Sequence, residues 1–171
     1  MTEQNPQVRL SQEHGSYIIV DTTDYVRKLN FPKEIDGLKL KTEFHVSLIK
    51  FADQIADKSL ADRISEANNS VAHFIDDHPP QLDGQFLRAF QPEKDLESIV
   101  GLVDILDLEK WRDAIRVVLG GGTDFTVPHI TLYTKQLDKG IPLNSQREFD
   151  QRTRPLELGI VDKLQRHLSK D

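Results

Sequence analysis

Two tetrapeptides in this chain share one form: His45-Val46-Ser47-Leu48 and His129-Ile130-Thr131-Leu132. Each is a histidine, a β-branched apolar residue, a hydroxyl residue and a leucine. In an extended strand, side chains alternate faces with a period of two. His45 and Ser47 therefore leave one face and Val46 and Leu48 the other, and His129 and Thr131 part from Ile130 and Leu132 in the same way. Brought together across a cleft, the two polar faces surround a small ligand with two imidazoles and two hydroxyls. The chemistry that suits such a site is displacement at phosphorus. In-line attack needs one group to take the nucleophile's proton and another, on the far side, to protonate the leaving oxygen. Imidazole, titrating at about 6.5, does either near neutrality. Charge sits on the non-bridging oxygens, where Ser47 and Thr131 donate. The scheme calls for no metal and no cofactor. Taken singly, each histidine reads as a buried, hydrogen-bonded strand residue; the recurrence with its hydroxyl makes catalysis the better reading.

Strand parity extends the polar face. Val127, Tyr133 and Lys135 share it with His129 and Thr131. Tyr133 is expected to stack on a base or touch a phosphate, and Lys135 to attract an anion, against the plainer roles of core edge and solvated charge. Arg88 lies between Phe86 and Phe90 on one face of another strand, an arrangement that suits a nucleotide or an arginine stem laid over core rings. Other polar groups carry less. His73 and His78 have the wrong spacing for a helical metal pair, and His14 and His167 fall in terminal segments. Gly120-Gly121-Gly122 lacks the Lys-Ser/Thr of a phosphate-binding loop and reads as a helix stop. Asp104, Asp107, Glu109 and Asp113 read as a solvated helix start.

The elements that must hold these residues follow from pattern. Residues 1–14 are polar and aperiodic, a loose tail before a single domain over 15–171. Strands are expected over 17–20, 41–49, 85–90, 98–105, 125–134 and 156–161. Helices are expected over 24–29, from Phe51 to the residues before Pro79-Pro80, from Asp107 to Leu119, and over 145–152. Residues 33–37 read as loop. Intermixed strands and helices with turn signals between neighbouring strands give an α+β fold, its sheets largely antiparallel with helices on one face of each.

Composition narrows the function classes. The chain has 171 residues, 37% hydrophobic and 29% charged, a net charge of -6 and no cysteine. An acidic chain is a poor binder of duplex DNA. The absence of cysteine removes disulfides and thiolate chemistry. No apolar run approaches the length of a membrane span, and the polar N-terminus has no signal core. The expectation is a cytoplasmic protein.

With their length and element order, the paired His-x-Ser/Thr motifs resemble the two-histidine (2H) phosphoesterase superfamily, which includes 2',5'-RNA ligase-like proteins and cyclic nucleotide phosphodiesterases. The resemblance covers most of residues 16–162; Ser47 stands where threonine is commoner. It implies a bilobal α+β fold of two pseudo-symmetric antiparallel sheets, with helices outside and a cleft between. It also implies metal-independent hydrolysis of a 2',3'-cyclic phosphate or related 2'-linked phosphodiester of a nucleotide or RNA end. His45 and His129 would be the catalytic pair and Ser47 and Thr131 the phosphate-binding residues, in a monomer. It admits the reverse reaction, the joining of 2',5' RNA ends. A rival from another class is a module that binds a nucleotide or RNA end without turning it over.

Overall fold

The two motif strands lie at the middle of one antiparallel sheet. The computed structural model describes residues 8–11, 16–51, 58–119 and 124–168. These form ten strands and five helices: β1 (Val8–Ser11), β2 (Ser16–Asp21), α1 (Thr23–Lys28), β3 (Glu34–Ile35), β4 (Leu38–Leu40), β5 (His45–Phe51), α2 (Lys58–Asp77), β6 (Gln81–Gln91), β7 (Leu96–Asp104), α3 (Leu108–Leu119), β8 (Asp124–Phe125), β9 (His129–Thr134), α4 (Gln146–Arg152), β10 (Thr153–Pro155) and α5 (Leu158–Leu168). The class is α+β, as expected. The main hydrogen-bonded path runs β1-β2-β5-β9-β7-β6-β10, with β4 also pairing β9 and β8 also pairing β5. Where two sheets were expected, the strands form one path, joined at the pair Val46↔Ile130 between β5 and β9.

Burial explains which face went where. Val46, Ile130 and Leu132 are fully buried and Leu48 nearly so. They join one large core with Val71 and Ile75 of α2, Trp111 and Ile115 of α3, and Leu164 of α5. Full burial of such side chains stabilises by roughly 1.5–3 kcal/mol each, so the apolar half of each tetrapeptide fixes the direction of the polar half. Trp111, Ile115 and Leu119 recur at four-residue spacing on α3, the stripe of an amphipathic helix. A smaller core lies on the opposite, histidine-bearing face, where Ile141, Leu143 and Phe149 cover Ala89 and Val100. No helix among the described residues is long and apolar enough to cross a membrane.

Several boundaries differ from the sequence expectation. Part of the supposed tail is strand: β1 pairs with β2. Residues 33–37 hold β3, which forms a hairpin with β4. The strand expected from Lys41 begins at His45, and it runs on through Phe51, where a helix was expected to start. The supposed strand 125–134 is two pieces, β8 and β9. The supposed strand 156–161 is the start of α5 instead. Ile160, Val161, Leu164 and Leu168 pack on the large core, a helical spacing that outweighed the β-branched pair. The glycine run 120–122 and the expected helix over 52–57 lie outside the described residues.

Candidate active site

Val46 and Ile130 are cross-strand partners. Each is the second residue of its motif, so this one pair brings the two motifs side by side. The two motifs thus meet at equivalent positions, and in each strand the histidine and the hydroxyl residue lie on the face opposite the buried Val46 and Ile130. All four residues keep partial solvent exposure. The chain is pinned just before each histidine in the same manner. Thr22 N donates to Phe44 O at 2.9 Å, and Val103 N donates to Pro128 O at 3.1 Å. Thr23 adds two bonds in the first half, accepting from Phe44 N at 3.0 Å and donating to Phe44 O at 3.2 Å.

The correspondence continues past the motifs. In the first half Ile18 pairs Ile49 while Ile19 pairs Ser47, so one residue, Leu48, is extra on β5. In the second half Ile99 pairs Tyr133 while Val100 pairs Thr131, so Leu132 is extra on β9. Each motif is followed by a bulge at the same position, and a bulge reverses the face of every later residue. Beyond it, β5 pairs β8 through Ile49↔Phe125 and Lys50↔Asp124. In the same places β9 pairs β4 through Tyr133↔Leu40 and Thr134↔Lys39. Each short strand leads toward the other half's motif.

The bulge overturns an expectation drawn from parity. Tyr133 turns away from the histidines into the large core, fully buried. Its phenol donates to Pro32 O at 2.8 Å, and burial pushes its ionisation well above the ordinary range. It is a core residue and no substrate contact. Lys50 makes the opposite move. Its partner Tyr17 and the core placement of Ile49 set it on the histidine face. Tyr17 and Lys50 are the residues the sequence reading missed, because simple alternation from His45 assigns Lys50 to the core side.

Arg88 and Lys135 are also elsewhere. Arg88 pairs with Ile99 of the large core, and its guanidinium bonds three carboxylates: Glu97, Asp36 at 2.6 Å and Glu157 at 2.9 Å. With a side chain only 8% exposed, it is a structural ion-pair hub. Lys135 holds Asp95 at 2.6 Å near the β6–β7 turn. A pocket of about 390 Å³ lined by Pro32, Glu34, Ile35, Asp36, Ile160 and Lys163 contains none of the motif residues; it adjoins Arg88's partner Asp36 on the helix side.

At the site itself, His129 Nδ1 lies 2.7 Å from Val127 O. A carbonyl only accepts, so Nδ1 carries the hydrogen and Nε2 is left with the lone pair. His129 keeps some exposed surface, yet the protein crowded round its ring depresses its pKa below the ordinary 6.5, the Val127 carbonyl opposing in part. The ring of Phe149 lies 6.0 Å away. The segment after β9 crosses the same face. Asp138 meets Thr42 at 3.4 Å, a Cβ at Gly140 would lie 3.8 Å from Thr131 Oγ1, and Asn144 Oδ1 accepts from the Tyr17 phenol at 2.9 Å. A neutral imidazole with a free Nε2, a second imidazole and two hydroxyls on one face can move a proton in and a proton out around one phosphoryl group. No family model, curated protein or solved structure matches the chain.

Proposed function

We propose that this protein is a metal-independent phosphodiesterase that hydrolyses a 2',3'-cyclic phosphate, or a related 2'-linked phosphodiester, of a nucleotide or RNA end. The observation that carries the reading is the pairing of Val46 in β5 with Ile130 in β9, with a matching bulge in each motif strand, because it brings the two His-x-Ser/Thr motifs side by side. The reading treats the chain as bilobal. β2, β5 and β8 surround one motif, β4, β7 and β9 the other, and the substrate cleft lies over the junction. His129, neutral with Nε2 free, takes the proton from water as its oxygen bonds phosphorus. The bond from phosphorus to one ribose oxygen breaks, and His45 protonates that oxygen, leaving a phosphomonoester. Ser47 and Thr131 donate to the non-bridging oxygens. The protein acts in the cytoplasm, as a monomer.

The test is turnover of 2',3'-cyclic mononucleotides, with the product isomer identified by chromatography. His45→Ala and His129→Ala are each expected to lower kcat by roughly 10²- to 10⁴-fold with the fold retained. Binding without turnover by the wild type, or near-wild-type turnover by either variant, would overturn the reading.

A further inference from the structure

The two halves match at the motifs and differ one step beyond them. Lys50 and its partner Tyr17 hold, in the first half, the places of Thr134 and Ser98 in the second. The second pair is sealed. Ser98 and Thr134 are fully buried, their hydroxyls have no partner, and Ile141 and Leu143 pack on the adjoining Val100. The first pair is open, with both Tyr17 and Lys50 partly exposed. Among the described residues, the first half therefore presents partly exposed polar side chains one step beyond its motif, and the second half presents none there.

What lines that open half is an ammonium and a fixed ring. Among the described residues Lys50 makes no ion pair. Its strand neighbours are Tyr17 and, through β8, Asp124. The Tyr17 phenol donates to Asn144 Oδ1. Asn144 is fixed in turn, since its N–H donates to Glu148 Oε2 at 2.8 Å and Ser145 next to it caps α4. With the bulge discounted, Lys50 stands two strand steps beyond Ser47, about 7 Å, farther than one phosphoryl group reaches.

We infer that Lys50 and Tyr17 form a second subsite for an anionic group, so that the substrate is a nucleotide carrying a phosphate in addition to the one attacked. The inference rests on the proposed phosphodiesterase reading and names its substrate class. Lys50 supplies charge to the second phosphate, and Tyr17 flanks the nucleoside that joins the two.

The experiment compares a 2',3'-cyclic nucleoside monophosphate with the same compound bearing a 5'-phosphate. A charge-assisted contact predicts a preference of about 10- to 100-fold in kcat/KM for the 5'-phosphorylated substrate, expressed in KM and weakened by salt. Lys50→Met is expected to reduce that ratio to within about 3-fold, while the control Lys135→Met, far from the site, keeps it. Equal use of both substrates by the wild type, or a wild-type ratio in Lys50→Met, overturns the subsite. If neither compound turns over, the catalytic reading falls. Calorimetric binding of the same two compounds then decides the subsite: a preference lost in Lys50→Met supports it, and equal affinities overturn it.

Discussion

Tyr133→Phe separates the bulged strand from a regular one. Without the extra residue Leu132, Tyr133 would lie beside Thr131 on the histidine face; with it, the phenol is fully buried and donates to Pro32 O at 2.8 Å. The phenylalanine ring fills the same space, so there is no cavity. The Pro32 carbonyl loses its phenol donor. Pro32 is only partly buried, so the loss is that of a net hydrogen bond, about 0.5–1.5 kcal/mol, and in a domain of this size each kcal/mol lowers Tm by about 2–4 °C. The expected fall in Tm is therefore roughly 1–6 °C. kcat/KM for a cyclic mononucleotide, measured well below the transition, should stay within about twofold of wild type, since the hydroxyl touches no substrate. Differential scanning calorimetry and initial rates on one preparation read both quantities. An unchanged Tm with a tenfold loss of kcat/KM would mean that Tyr133 contacts the substrate, and would refute the placement of the bulge.

The rate should be bell-shaped in pH, its acidic limb below about 6.5 because burial depresses His129; His129→Ala should remove that limb and His45→Ala the basic one, and a monotonic rise to high pH would reject the pair. Stability should follow the same group. The unfolded chain binds the His129 proton more readily than the native one, so stability from this residue is whole above about pH 6.5 and declines as pH falls through that value toward the depressed native pKa, as urea titrations at several pH values would detect. Arg88→Met should lower Tm more than Lys135→Met does and leave KM unchanged, because Arg88 serves Glu97, Asp36 and Glu157 rather than a ligand; a rise in KM without a change in Tm would return Arg88 to the site. Activity should survive EDTA, and loss restored by a divalent ion would move the protein to a metal-dependent class.

The legible parts of the fold were those where one physical signal acted alone. α3 and α4 stand close to their expected positions because an amphipathic stripe and a capping serine each mark them locally: Trp111, Ile115 and Leu119 are buried as spaced, and Ser145 accepts from Glu148 N. β5 and β9 were legible because apolar Val46 and Ile130 demand a core while their polar neighbours refuse one. The C-terminal helix was misread because Leu156, Ile160 and Val161 suit a strand by composition, and only packing beside Leu164 decides otherwise. β1, Val8-Arg9-Leu10-Ser11, is half polar and exists through its pairing with β2, which local sequence does not announce.

The site shows where local reading stops. From composition and alternation, four of its residues follow: His45, Ser47, His129 and Thr131. The same rule assigned Tyr133 to the wrong face and left Lys50 unnoticed, because each lies past a bulge. Nothing in Leu48 or Leu132 marks them as extra residues. The bulges are held instead by long-range bonds from the other half: the Thr126 hydroxyl, just before His129, donates to Ser47 O, and Lys41 N, just before His45, donates to Leu132 O at 2.9 Å. Each motif strand is thus shaped by the chain leading into the other motif. The tetrapeptides specify what the site contains, and this exchange between halves specifies which residues surround it. A substitution at Thr126 or in the segment around Lys41 is therefore expected to disturb the motif strand of the other half.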